Sequence, residues 1–492
     1  MASLEEIRFA RIEKLKLLKD KGINPYPSFS KQDYTNKAVV ENFEELNENG
    51  KSISMVGRIL SLRSQGKIIF FNFDDGTSSF QALLKSGEPM PDGDFELFDK
   101  AFDIGDFIEV KGTLFLTKRQ EKTILVESVK MLSKSLRPLP EKWHGLTDTE
   151  ERFRKRYLDL ISNQEVKDRF IIRTKVISEI RKILDEKDFL EVETPALQPI
   201  YGGASANPFV THHHALNTDL YLRISDELYL KRLLAGGFPR VYEIARDFRN
   251  EGIDTTHNPE FTMLEFYESY SDSEKQIQFV EDMIRRLVGT IFNKEILVWN
   301  EEEINYANKF NVITYFDLFR NYANISNPES ISQIDLEKKA QELGVEIKPG
   351  DSYYKIMDEI YKKVARPKLI QPTFIIDYPI NYLPLAKKKE SDESLVEAFQ
   401  LIIGGIEISK AFSELNDPID QRKRFESQEK FKEEGDREAQ VLDEDFIEAM
   451  EYGIPPAGGV GIGIDRLVML LTNTKNIKEV ILFPTLKPKP KE

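Results

Sequence analysis

Side chains able to do chemistry collect around one turn of the chain. RVYEIARDFRNEG (240–252), the loop DTTHNP and EFTMLEFYE (260–268) carry Arg249, Glu251, His257, Phe261, Glu265 and Tyr267. Alternation predicts a hairpin. Val241, Glu243, Ala245, Asp247 and Arg249 share a face of its first strand, and Phe261, Met263, Glu265 and Tyr267 a face of its second. The set offers a cation for phosphate or carboxylate, a ring for stacking and carboxylates for ammonium groups. An ordinary exposed sheet face could carry the same charges, so a further element is needed. GGVGIGIDRLVMLLTN (458–473) supplies it: Gly459, Gly461 and Gly463 alternate with Val460, Ile462 and Ile464. One face of that strand is therefore bare backbone, on which a flat ring can lie. Asp465-Arg466 then opens an apolar helix and sets a guanidinium beside the bare face. The dinucleotide fingerprint is excluded, because Ile464 stands where the last glycine of G-x-G-x-x-G falls.

Other elements must position these residues. VISEIRKILDEKDFLEVETPAL (176–197) predicts a helix with Val176, Ile180, Ile183 and Leu184 on one face. A strand through Leu190 and Val192 follows and is ended by Pro195. Helices and strands over 151–492 mix without regular strand–helix alternation, which indicates α+β architecture. The stretch from about 271 to 395 is charged and helical in period and reads as an insertion on that core. Upstream, residues 51–135 hold short strands: ISMVGRILSLR, KIIFFNFDDG, SSFQALLK, DFIEVKGTLFLT and KTILVESVKML. They suit a small closed barrel of the oligonucleotide-binding (OB) kind. Phe70, Phe71 and Phe73 lie on its second strand near Arg63 and Lys67, a stacking platform for bases, although alternation puts some of these rings in the core. Residues 136–150, opening with the stiff Leu136-Arg-Pro-Leu-Pro, form a linker. Residues 1–50 form a helical extension. Its first helix (3–21) has Leu4, Ile7, Ile12, Leu15 and Leu18 as core positions and Arg8, Arg11, Lys14, Lys16, Lys19 and Lys21 on the remainder, for solvent or RNA.

Composition sets outer limits. The 492 residues include no cysteine, which excludes disulfides, thiolate zinc sites and a Cys nucleophile. The N-terminus has no signal-peptide core, and no run of about 18 apolar residues predicts a membrane span. With 69 basic and 84 acidic side chains, the net charge of −15 argues against a nonspecific nucleic-acid coat. It permits a local basic face. His212, His213 and His214 alternate faces as strand neighbours and make a poor metal set.

The helix and strand ending in Pro195, the hairpin around FRNE and the glycine strand ending in IDR resemble motifs 1, 2 and 3 of class II aminoacyl-tRNA synthetases. The wording of YGGASANPF (201–209), ISDELYLKRLLAGGFPRVYEIARDFRNEG (224–252), HNPEFTMLEFY (257–267), FSELNDPIDQR (412–422), RYLDL (156–160) and RPLPEKWHGL (137–146) is similar to that of class II lysyl-tRNA synthetases. The resemblance covers nearly the whole chain. It implies an antiparallel-sheet catalytic domain behind an N-terminal OB-fold barrel, and lysyl-adenylate chemistry followed by transfer to tRNA(Lys), with ATP, L-lysine and Mg2+, in a cytoplasmic homodimer.

Residue by residue, the resemblance implies that Arg249 and Arg466 are catalytic. Glu251, His257, Phe261, Gly461 and Gly463 would join them at ATP, with Phe261 and Arg466 sandwiching adenine. Gly203 and Glu227 would hold the α-amino group of lysine, and Glu414, Tyr267 and Glu265 the ε-ammonium. Arg63, Phe70, Gln81 and Glu127 would read a U-rich anticodon. Two positions depart from the family pattern. Magnesium would fall to Glu407 and Gln400, where relatives commonly have two glutamates. Lys410, where relatives commonly have Asn, would pair with the substrate carboxylate. Glu407 and Lys410 face opposite sides of an unbroken strand, so a bulge or strand end has to intervene if both reach one site. These departures keep open a synthetase-like protein that binds RNA without charging it. Protein lysylation is the nearer enzymatic alternative.

Overall fold

The computed structural model describes residues 3–140, 148–348, 350–433 and 440–489, with side chains for all of these except 431–433. The segment EKWHGL (141–146) of the expected linker lies outside them. The chain divides into two compact units, Met1–Leu146 and Thr147–Glu492.

In the first unit, helix α1 (Leu4–Asp20) opens with a capping box in which Ser3 and Glu6 each accept the other's backbone N–H. Strands β1 (Ile53–Gln65), β2 (Ile68–Asp74) and β3 (Ser79–Lys85), helix α2 (Asp92–Ala101), and strands β4 (Phe107–Leu116) and β5 (Lys122–Ser133) follow. The strands close into a barrel of order β1-β2-β3-β5-β4. Alternation divides the phenylalanines: Phe71 and Phe73 are buried in the core, and Phe70 is half-buried on the outer face. Leu18, Val39 and Phe43 join the barrel core, so the N-terminal helices pack with the strands.

Two expectations for α1 are corrected. Leu4 is exposed, and Arg11, expected on the free cationic face, is buried. The Arg11 guanidinium donates to Ser135 Oγ at 2.6 Å and to the carbonyls of Ile104 and Arg137, both at 3.0 Å. Helical period alone could not register these carbonyls, which lie far away in sequence.

The second unit is built on an eight-stranded sheet. Helix α3 (Gln164–Asp185) leads into β6 (Leu190–Glu191); helix α4 (Glu227–Ala235), β7 (Arg240–Phe248), β8 (Glu260–Ser269) and helix α5 (Ser273–Phe292) follow. After them come β9 (Asn311–Thr314), β10 (Thr373–Pro379), β11 (Leu395–Ile403), β12 (Ile406–Ser413), β13 (Ala457–Gly463) and helix α6 (Ile464–Leu471). The sheet order is β9-β10-β11-β12-β13-β8-β7-β6, antiparallel except for the pairs β9–β10 and β6–β7. One sheet face packs on α3, α5 and α6 through Val176, Ile180, Val280, Ile284, Leu467 and Val468.

The stretch 271–395 is more closely woven into this domain than an insertion. Helix α5 contributes to the main core, and β9 and β10 extend the sheet. The helices between these strands build a second core with β10 and β11, around Leu318, Phe319, Ile356, Ile360, Ile375 and Val396. Strands as short as Asn311–Thr314 inside a long helical and charged stretch leave little period-2 signal. Among the described residues no helix is long and apolar enough to cross a membrane.

Glycines of the first unit give a stability contrast. A Cβ at Gly112 in β4 would fall on the Leu125 carbonyl oxygen and 3.0 Å from Val126 Cα, whereas one at Gly93 in α2 meets nothing within 4 Å. Gly112→Ala is expected to destabilise this unit by about 1–3 kcal/mol. Gly93→Ala should stabilise it by about 0.5–1 kcal/mol. Chemical denaturation followed by a barrel-specific fluorescence probe checks both signs.

Candidate active site

The sheet face opposite the main core carries a transverse row of side chains. The register aligns Glu243 with Glu265, Glu265 with Gly461, Gly461 with Lys410, and Lys410 with Gln400, across β7, β8, β13, β12 and β11. A parallel row runs Val241, Tyr267, Gly459, Phe412 and Ala398. The glycine strand is thus flanked by acid and phenol on one side and by an ammonium on the other. Between the Leu401–Ser409 and Ile402–Glu407 pairs the register slips, leaving Ile408 as the extra residue of a bulge. This slip lets Glu407 and Lys410 line the same cavity.

That cavity has a volume of about 380 Å³ and collects Gly203, Glu227, Arg249, Glu251, His257, Phe261, Glu265, Tyr267, Glu407, Lys410, Gly461, Gly463 and Arg466. Gln400 and Glu414 stand outside its lining. The amide oxygen of Gln400 accepts from Tyr378 Oη at 2.8 Å and Tyr361 Oη at 3.2 Å. Glu414 is buried at 1 % exposure and forms an ion pair with Lys231.

The three glycines are not equivalent. A Cβ on Gly459 would collide with Glu414 Oε1 and the Tyr267 ring, so that gap is already filled. At Gly461 the nearest atom is Met263 Cε at 3.1 Å, and at Gly463 nothing lies closer than 3.9 Å. The open part of the bare strand is therefore its far half. Arg466 sits there, its Nη2 2.9 Å from His257 Nε2. His257 is held through Nδ1 to Asp254 Oδ2 at 2.8 Å. The Arg249 guanidinium lies 5.0 Å from the centroid of the Phe261 ring, and its Nη2 donates to the Ile224 carbonyl at 3.3 Å. Strand β7 ends at Phe248, so Arg249 belongs to the loop, where its N–H donates to Pro259 O at 2.8 Å.

The acidic end is densely charged. Glu265 accepts from Ser225 Oγ at 2.9 Å and Tyr267 Oη at 3.2 Å. Burial, reinforced by Asp247 and Glu227, pushes its pKa up to about 8. Burial likewise lifts Asp247 to about 6 and raises Asp226 well above the carboxylate range. Arg223 serves this group, with Nη1 2.7 Å from Glu243 Oε1 and 3.2 Å from Asp226 Oδ1. Burial lowers the pKa of Lys410, while Glu407 and Glu227 act in the opposite direction.

Comparison with known proteins gives this geometry a family. The family model "tRNA synthetases class II (D, K and N)" matches residues 148–487, and the model "OB-fold nucleic acid binding domain" matches residues 53–132. A lysine–tRNA ligase of Pelotomaculum thermopropionicum is 49% identical over 488 residues, covering 99% of this chain and 96% of the relative. The chain belongs to the class II lysine–tRNA ligases. A lysine–tRNA ligase of Moorella thermoacetica is 46% identical over 98% of both chains, and one of Aquifex aeolicus is 49% identical over 90% of this chain and 74% of its own.

On the barrel of this lysine–tRNA ligase family member, Arg63 is exposed and Phe70, Gln81 and Glu127 are half-buried. Arg63 and Phe70 are direct cross-strand partners, and Gln81 lies opposite Asn72. Gln81 Nε2 donates to Thr123 Oγ1 at 2.9 Å, and Glu127 accepts from Ser52 Oγ at 2.8 Å. Reasoning from sequence missed Arg223, Ser225, Asp226 and Lys231. The spacing of Glu227 and Lys231, four apart at the start of a helix, was the available signal. His212 pairs with Asp219 at 2.7 Å, and among the described residues no cluster of His, Asp or Glu forms a metal cage.

The raised acids give a pH dependence whose sign follows from linkage. Glu265 and Asp247 hold protons in the folded chain at pH values where the unfolded chain has lost them. That stability is full below the ordinary carboxylate range and is lost as pH rises through about 6 and then about 8. Glu265→Gln keeps the shape without the ionisation. Its melting temperature relative to the parent is expected to rise steadily between about pH 5 and about pH 9. A difference that stays flat would contradict the assignment.

Proposed function

We propose that the cavity joins lysine and ATP into lysyl-adenylate and then passes the lysyl group to the terminal ribose of tRNA(Lys). One observation carries this reading: a single cavity floor combines an open glycine surface beside arginines with an enclosed acidic end. Adenine fits the open half, between Phe261 and Arg466, with Glu251 and His257 on the nucleotide side. The ammonium groups of lysine fit the acidic end, at Glu227 with Gly203 and at Glu414 with Tyr267 and Glu265. Arg249 then lies where the lysine carboxylate meets the α-phosphate.

Attack by the carboxylate oxygen on the α-phosphorus forms the mixed anhydride and releases pyrophosphate. No enzyme nucleophile is required. The side chains act by alignment and by stabilising charge that develops on the phosphate. Enclosed acids select for ammonium, because an uncharged amino acid would leave them unpaired. The chain's residues fit Mg2+ carried on ATP, since Glu407 offers one carboxylate and Mg2+ commonly keeps waters and substrate phosphates as its other ligands. When bound it neutralises phosphate charge. Gln400 contributes less to such a site while its amide oxygen serves two tyrosines.

The barrel reading has the same physical basis. Phe70 would stack an anticodon base, with Arg63, Gln81 and Glu127 hydrogen-bonding base edges. The motif 1 elements α3 and β6 would pack across a two-fold axis in a homodimer, and the cytoplasm is the expected compartment.

ATP–pyrophosphate exchange that depends on lysine tests the first step, and charging of tRNA(Lys) tests the second. Exchange absent at saturating lysine, ATP and magnesium would defeat the ligase reading in favour of RNA binding alone. Arg249→Ala is expected to lower exchange by about 10²–10³-fold. Lys410→Asn and Lys410→Ala test whether that ammonium meets the lysine carboxylate. The lysine KM should rise by about 10-fold or more, and least in the Asn variant.

A further inference from the structure

Lys231 lies one turn beyond Glu227 on α4 and is 1 % exposed. Its Nζ donates to Glu227 Oε1 at 2.6 Å and forms an ion pair with Glu414 Oε2. The rings of Phe412 and Phe446 lie 5.4 and 5.9 Å from it and close it off from water. Glu227 starts a helix and Glu414 follows β12, so this ammonium ties together two acids that no backbone element holds in common. Lys231 meets one oxygen of each acid, which leaves Glu227 Oε2 and Glu414 Oε1 outside its pairing. The latter occupies the gap left by the missing side chain of Gly459 and accepts no hydrogen bond. Burial works against the Lys231 charge, yet Glu227 and Glu414 outweigh it and raise its pKa.

We propose that Lys231 is a positioning residue for the amino acid. Its ammonium fixes the spacing of the two carboxylates that receive the α- and ε-ammonium groups, and thereby matches the pocket to a chain of four methylenes. This role rests on the proposed assignment of Glu227 and Glu414 to those groups. Breaking a buried pair leaves its partner charges uncompensated and free to move apart. The loss should therefore fall on amino-acid binding and on recognition of its length, with ATP binding largely spared.

The test uses the full chain with Lys231→Met, which keeps the length and apolar stem of the side chain. In lysine-dependent exchange the lysine KM is expected to rise about 10–100-fold while the ATP KM changes less than about twofold. The preference for lysine over ornithine, one methylene shorter, should fall by about 10-fold or more. A lysine KM that is unchanged or lowered, a parallel rise in both KM values, or an intact preference over ornithine would overturn the proposal. If the Met variant does not fold, Lys231→Ala assayed with added ethylammonium takes its place. Recovery of the lysine KM supports the positioning role, and lack of recovery counts against it. Glu414→Gln separates the two levels of inference. If it leaves the lysine KM unaltered, the pocket assignment fails. If it raises the lysine KM while Lys231→Met does not, only the Lys231 proposal fails.

Discussion

The arrangement of this site follows from the cost of burying carboxylates side by side. Glu243 and Glu265 face each other directly across β7 and β8, a pairing that like charges make unfavourable. Glu227 in the cavity lining, and Asp226, Asp247 and Glu414 buried behind it, add further acids, each less than a tenth exposed. Full ionisation without partners would be prohibitive. Three devices relieve it. Arg223 serves Glu243 and Asp226, Lys231 joins Glu227 to Glu414, and Glu265 retains its proton to high pH between two hydroxyl donors. What is left over is acceptor capacity on Asp226, Asp247 and Glu414 that no donor among the described residues fills by a hydrogen bond. On the proposed reading, an arriving ammonium would complete an arrangement the fold has already organised.

Holding such a cluster requires stiff supports, and one carboxylate supplies much of that stiffness. Asp465, at the start of α6, accepts from the backbone N–H of Thr262 at 2.7 Å and from Arg173 on α3 at 2.6 Å. Arg173 also donates to Thr262 Oγ1 at 2.9 Å. The helix behind the sheet, the hairpin strand and the helix after the glycine strand are thus joined at a point only 2 % exposed. Arg466, the next residue, turns to the cavity from an anchored position.

What the sequence made legible was whatever period 2 and residue type express locally. The hairpin faces, the bare strand, the barrel and the need for a bulge near Glu407 all came from alternation, and the resemblance to a family came from the wording of the motifs. The pairings that make the site workable are non-local. Nothing in LYLRISDELYLK marks Arg223 as the partner of Glu243, or Lys231 as the partner of Glu414. Arg11 looked like a surface cation because its acceptors are carbonyls about a hundred residues away. The resemblance alone sets Gln400 at magnesium, and its two tyrosine donors, at 361 and 378, lie outside the motifs that carry that resemblance.

The glycine strand shows how a correct local reading can still conflate two demands. From alternation alone, Gly459, Gly461 and Gly463 form one uniform bare face for a flat ring. In the fold, the missing Cβ at Gly459 makes room for the Glu414 carboxylate and the Tyr267 ring, whereas Gly461 and Gly463 leave open surface toward Arg466. The same absence of a side chain therefore admits a carboxylate and a ring at one end of the strand and, on the proposed reading, would serve stacking at the other. Under that proposal a single strand would bring an amino acid's ammonium and a nucleotide's base onto one floor, with Arg249 beside it. It also explains why a chain of net charge −15 can act on phosphates. Glu227 and Glu265 are enclosed at one end of the cavity, while Arg249 and Arg466 line it elsewhere, placed by packing rather than by number.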